Sequence, residues 1–265
     1  MVGGSYMSNS NLKTFDNFYA DLAQAAYTFR PSNFPPQNNS GEFREFDFSN
    51  DVYMLDEDGN VKEITPGGKH LPHGGKVYLQ PDPELRDTYK VTSTPVPDTN
   101  GMRQDTHHKR YQKGLLTDDE AGFSAYYLTD TPTLGSDTTK TYMTIRGSDA
   151  ISMENWNDWV DNDAKFALNH IHTPQAKLAT VGMKTKIAEM TEKAPQATMD
   201  ITAHSLGTIV SAQGVAGLTD EELKKIGKIV LFDGPDTTKS LKKMGLSDEK
   251  IQALNEVIME TLNEE

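Results

Sequence analysis

The residues best suited to chemistry surround Ser205, in the stretch ITAHSLGTIVSAQ from Ile201 to Gln213. The serine stands between an apolar run that reads as a strand ending at Ala203 and a helical pattern opening at Leu206. Small residues sit two places before and two after it, Ala203 and Gly207. This is the A-x-S-x-G form of a nucleophile elbow, a sharp strand-to-helix turn. Small residues are demanded there because strand and helix backbones pass too close for larger side chains. Ala203 in place of the usual glycine adds one methyl. A serine hydroxyl is too weakly acidic to attack an ester unaided, so it needs a base for its proton and donors for the developing oxyanion. The backbone N–H of Leu206, at the helix N-terminus, supplies one donor. A second is predicted from a loop after an earlier strand, Thr141 to Ile145, which runs into Arg146-Gly147-Ser148. The competing readings are an ordinary helix N-cap for Ser205 and a plain turn with a buried arginine for 146–148.

The composition narrows the alternatives. The 265 residues include no cysteine, which removes disulfides, thiolate metal sites, iron–sulfur clusters and cysteine nucleophiles together. Lys and Arg number 26 against 39 Asp and Glu, a net charge of −13, so a phosphate backbone is repelled and no nucleic-acid partner is expected. Mean hydropathy is −0.62, and no apolar run approaches the roughly 20 residues of a spanning helix. His70, His73, His107 and His108 lie in loop-like sequence. No cofactor or metal is expected. The turn Asp56-Glu57-Asp58-Gly59-Asn60 lacks the remaining ligand positions of a calcium loop and reads as a hairpin turn between Val52–Leu55 and Val61–Ile64.

Four segments organise the chain. Residues 1–10 read as a tag or disordered terminus. Residues 11–31 read as a helix with Phe15, Phe18, Tyr19, Leu22, Ala26 and Phe29 on one face, stopped by Pro31. Residues 32–113, rich in Pro, Gly, Asn and Asp, form a strand- and turn-rich insertion that includes Lys76-Val77-Tyr78-Leu79. From 114 to 265 strands alternate with longer helices. The predicted strands are 122–128, 141–145, 199–203 and 228–232, and the predicted helices are 151–166, 178–190 and 209–218. The last three strands are apolar on both faces, which suits a mostly parallel sheet covered by helices on each side.

Two further motifs carry a resemblance. IRGSDAISMENWNDWVDND from Ile145 to Asp163, then TAHSLGT, then LFDGPD from Leu231 to Asp236 resemble the class 3 lipase family in order and spacing. FYADLAQAAYTF from Phe18 to Phe29 is similar to the amino-terminal helix of those enzymes. The resemblance implies an α/β-hydrolase core and a lipase or phospholipase A type of carboxylic ester hydrolysis. It also implies Ser205 as nucleophile, Ser148 and the Leu206 N–H as the oxyanion hole, and Trp156 and Trp159 near the place of a lid. The insertion is similar in texture to lipase domains of Gram-positive phospholipase toxins exported by the type VII route. That implies secretion without a Sec-type signal, with a cytoplasmic location as the alternative, a lipid or phospholipid substrate at a membrane surface, and room for an immunity or chaperone protein.

One departure matters. All seven histidines precede Ser205, whereas the triad order of this class is Ser, then Asp or Glu, then His. His204 neighbours the serine but points away from the line of attack. Asp233 and Asp236 read as structural acids, and 237–264 reads as helical to the end. Three readings stay open: a C-terminal segment with further strands, an Asp and a His completes the core; the chain is a pseudo-enzyme or interaction module; or His170 or His172 supplies the base.

Overall fold

The four apolar runs become adjacent strands of one mixed sheet. A computed structural model describes residues 18–19, 22–23, 26, 44–47, 52–55, 58–65, 72–146, 174–234 and 236–262. Its strands are β1 (Arg44–Asp47), β2 (Val52–Leu55), β3 (Val61–Thr65), β4 (Lys76–Gln80), β5 (Arg86–Asp98) and β6 (Gly101–Lys113). They continue with β7 (Thr117–Asp118), β8 (Phe123–Thr129), β9 (Lys140–Ile145), β10 (Thr198–His204), β11 (Ile226–Gly234) and β12 (Ile258–Leu262). The helices are α1 (Pro174–Lys193), α2 (Leu206–Ala216), α3 (Asp220–Leu223), α4 (Thr237–Lys243) and α5 (Asp248–Asn255). β2 and β3 form a separate hairpin whose turn contains Gly59 at φ 80°, as the Asp-Gly signal predicts.

The other ten strands follow the order β12-β11-β10-β9-β8-β7-β6-β5, with β4 pairing β8 and β1 pairing β4. Only the β9–β10, β10–β11 and β11–β12 pairings are parallel, and the other six in this sheet are antiparallel. This overturns the predicted fold class, the α/β-hydrolase core with a mostly parallel sheet. The physical reason lies in the connections. The ten residues between β8 and β9 are fewer than the dozen or more that a parallel crossover needs. They are folded into a tight return, with Asp130 accepting from Thr139 N and Lys140 N at 3.2 and 3.0 Å. Within the segment expected as an insertion, β1, β4, β5 and β6 are built into the same sheet as antiparallel strands. Residues 237–264 also depart from an all-helical reading. β12 pairs beside β11, with Ile229 opposite Ile258, so the neighbour strand expected from a further segment comes from Ile258–Leu262.

Alternation along the central strands divides the core. Met143, Ile145, Met199, Ile201, Ala203, Ile229 and Leu231 bury one face against Met183, Ile187 and Met190 of α1, Val210 and Val215 of α2, and Leu241 and Leu254. Tyr142, Tyr126, Leu128 and Val230 face the other way, against Phe18, Tyr19, Leu22 and Ala26. Those four are helical and buried, in line with the predicted apolar face, while Phe15 and Phe29 lie outside the described residues. Asp200, 1% exposed, fixes this layer. Its carboxylate accepts from Tyr19 Oη at 2.7 Å, Lys140 Nζ at 2.8 Å and Lys228 N at 3.0 Å. Residues 1–10 and the helix predicted over 151–166 lie outside the described residues.

Candidate active site

The turn at Ser205 is dictated by the meeting of β10 and α2. β10 is an interior strand: Ala203 lies opposite Ile145 of β9 and Leu231 of β11, and His204 opposite Phe232. Ser205 N donates to the Phe232 carbonyl at 3.0 Å, so pairing reaches one residue beyond the strand before the chain reverses into α2. The reversal puts Ser205 at φ 57°, ψ −132°. A positive φ is uncommon outside glycine, and this ψ is not that of the left-handed helical well, so the backbone is strained. Only His73 shares a positive φ among the described non-glycine residues.

Three neighbours hold that strained turn. Thr208 N and Thr208 Oγ1 both donate to the Ser205 carbonyl, at 2.9 and 2.6 Å. Ala203 and Gly207 are buried, as the small-residue rule demands. Gly234, at the end of β11, leaves the room in which Thr208 sits, since a Cβ there would lie 2.0 Å from Thr208 Oγ1. The LFDGPD segment stands out in the sequence, but the purpose of its glycine and the role of Thr208 do not. The Thr three residues after Ser205 is the one local signal of that lock.

Ser205 occupies the N-cap position of α2, yet its side chain makes no capping hydrogen bond. That separates it from the ordinary N-cap reading, in which the hydroxyl is spent on the N2 or N3 amide. The other caps here behave conventionally: Thr219, Ser247 and Asp236 each accept from the residue three ahead. Asp236 is therefore a helix cap, as its structural reading holds; the side chain of Asp233 lies outside the described residues. Leu206 is the first residue of α2. Its N–H belongs to the first helical turn, where amides lack intrahelical partners and the helix dipole favours negative charge. The predicted second donor, Ser148, lies outside the described residues, as do Trp156, Trp159, His70, His170 and His172. Arg146, just before it, is buried, and its N–H donates to Ser124 O at 2.9 Å. β9 thus ends level with the serine turn.

The described histidines other than His204 are placed elsewhere. His73 lies 3.6 Å from Asp130, a carboxylate at the far end of β8. Thr129 pairs Thr141 while Ala125 pairs Ile145, so Asp130 is about 17 Å along the sheet from the serine end. His107 and His108 stand in β6, away from the sheet core. Asp200 also lies toward the start of β10, away from the turn. His73, His107, His108 and Asp200 therefore supply no His–Asp pair at Ser205. Among them no group of three or more His, Asp or Glu could hold a metal ion, and no helix is long and apolar enough to cross a membrane.

No family model and no curated protein matches this chain.

Proposed function

We propose that the protein is a serine ester hydrolase acting on lipid carboxylic esters, of the lipase or phospholipase A type, with Ser205 as nucleophile. The observation that carries this reading is the strained backbone of Ser205 at a strand-to-helix turn, with its hydroxyl uncommitted to capping. Backbone strain of this kind collects where a side chain must be presented to a reaction. The reading rests on this turn and on the motif resemblance, and on no fold class.

In the proposed reaction Ser205 Oγ bonds to the acyl carbon as its proton passes to a base, and the ester C–O bond breaks to release the alcohol. Water then attacks the acyl-enzyme and frees the fatty acid and the serine. The Leu206 N–H is the proposed donor to the carbonyl oxygen as negative charge develops on it, and Ser148 is its proposed partner. Loss of one such donor lowers kcat by ~10²- to 10³-fold, so Ser148→Ala should cut kcat and leave KM nearly unchanged. Secretion without a Sec-type signal, and an immunity or chaperone partner, belong to the same proposal. The placing of His73, His107 and His108 away from Ser205 favours one second reading, a pseudo-enzyme or noncatalytic interaction module. Turnover of a p-nitrophenyl ester decides between them. A Ser205-dependent rate supports the hydrolase, and a rate unchanged in Ser205→Ala refutes it.

A further inference from the structure

The antiparallel ribbon β5–β6 closes in a turn that carries the sequence's one Asn-Gly step, Asn100-Gly101. Asp98 and Gly101 form the last pair of the ladder, so the turn proper is Thr99 and Asn100. Gly101 holds φ 121°, a conformation open to glycine and costly for a residue with a Cβ. The turn thus requires a glycine there, and that glycine follows an asparagine.

The step has a chemistry of its own. Asparagine is thermolabile because its side-chain amide carbon lies within reach of the next residue's backbone nitrogen. A side chain on that next residue obstructs the approach, and glycine has none. Here little else obstructs it. Asn100 and Gly101 are both exposed, and beyond its chain neighbours no atom lies within 4 Å of where a Gly101 Cβ would be. Among the described residues no hydrogen bond holds the Asn100 side chain.

The remaining restraint is the ladder, which must open for the Gly101 nitrogen to turn onto Asn100. Each strand has 13 residues, so the ribbon is about 40 Å long. Beyond the single pairing of Lys113 with Asp118 it pairs only with itself, and none of its described side chains is buried. A two-stranded ribbon wet on both faces is marginal by itself, and its tip is the part that frays at least cost.

We propose that Asn100 is a self-modification site, converted through a cyclic imide to aspartate and isoaspartate. Hydroxide takes the proton of the Gly101 N–H, and the nitrogen bonds to Cγ of Asn100. The side-chain Cγ–N bond breaks, and ammonia leaves with a proton from water, which restores the hydroxide. Water then opens the imide at either carbonyl. Opening at Cγ yields aspartate, and opening at the main-chain carbonyl yields isoaspartate, whose backbone runs through one extra methylene. Either product adds one negative charge to a tip where Asp98 and Asp105 balance Arg103 and Lys109. The isoaspartate also lengthens the turn and loosens the Asp98–Gly101 pair. Nothing in this step involves Ser205, so it stands apart from the hydrolase reading.

The test incubates the full chain, folded and in urea, in mildly alkaline and mildly acidic buffer, and follows the tryptic peptide 91–103 by mass spectrometry. The peptide should give way to two separately eluting products, each heavier by the exchange of an amide for an acid, and faster in alkali. Because the tip opens at little cost, the folded rate should lie within about tenfold of the rate in urea. Asn60 and Asn255, exposed but followed by Val61 and Glu256, should stay intact over the same period. Asn100→Gln should remove both products and leave the melting temperature unchanged, since the side chain touches no core. An unaltered peptide, a folded rate slower than the expected range, or conversion no faster at Asn100 than at Asn60 would each overturn the proposal.

Discussion

At Ser205 the backbone holds φ 57°, ψ −132°, a conformation that costs an L-residue about 1–3 kcal/mol. The strain gives a test that needs no substrate. Ser205→Gly should be more stable than Ser205→Ala by about 1 kcal/mol in urea unfolding, because glycine meets no Cβ penalty at positive φ. An alanine variant as stable as the glycine one would show the turn to be unstrained. Gly234 carries the complementary expectation. A Cβ there would meet Thr208 Oγ1 at 2.0 Å and Thr208 Cβ at 2.6 Å, so Gly234→Ala should cost roughly 1–3 kcal/mol. It should also displace the Thr208 side chain that holds the Ser205 carbonyl, and ester turnover should fall with it. Ser205 was legible in the sequence because its turn is a local affair of small residues at fixed offsets. Gly234 and Thr208 meet across 26 residues of chain, and no local pattern announces which threonine a glycine clears.

Among the elements, the central strands were legible through their apolar runs, and their directions were not. β8 is antiparallel to β9 because a short connection decides strand direction, and apolarity on both faces says nothing about it. β12 is a plainer conflict between local and tertiary preference. Ile251, Leu254 and Ile258 fall at helical spacing among good helix formers, yet 258–262 pairs as a strand with β11. An open parallel edge outweighs a weak propensity. The β5–β6 ribbon escaped notice because apolar periodicity records burial, and this ribbon buries nothing; only Asn100-Gly101 at its turn marks it. Asp118 ties the ribbon's root. Burial pushes its pKa up, but the Ala121 and Glu120 amides and the Lys113 ammonium outweigh this and hold it below the usual aspartate value. A depressed carboxylate pKa stabilises above the unfolded value and stops doing so as pH falls through the folded one. Protection of the Glu120 and Ala121 amides against hydrogen exchange, taken relative to the intrinsic rate at each pH, should therefore fall below about pH 4, and Asp118→Asn should lower it at neutral pH. Protection unchanged in the asparagine variant would remove Asp118 from the root.

Across the whole molecule the charge is lopsided, with −16 outside the ribbon and +3 within it. Self-repulsion of the acidic body should make added salt raise the melting temperature, because screening relieves like charges first where they are densest. A melting temperature that falls with salt would mean that attractive pairs such as Lys140–Asp200 outweigh the net repulsion. The sheet carries these charges at one scale and the serine turn at another, and the two meet at the end where β9, β10 and the ribbon's root come together. The measurement that reaches the central claim most directly is fluorophosphonate labelling of the intact protein, followed by mass spectrometry of the peptide that carries Ser205. A single adduct per chain on Ser205, absent after denaturation and absent in Ser205→Ala, is the predicted result. An unlabelled folded protein, or an adduct on another residue, would contradict it.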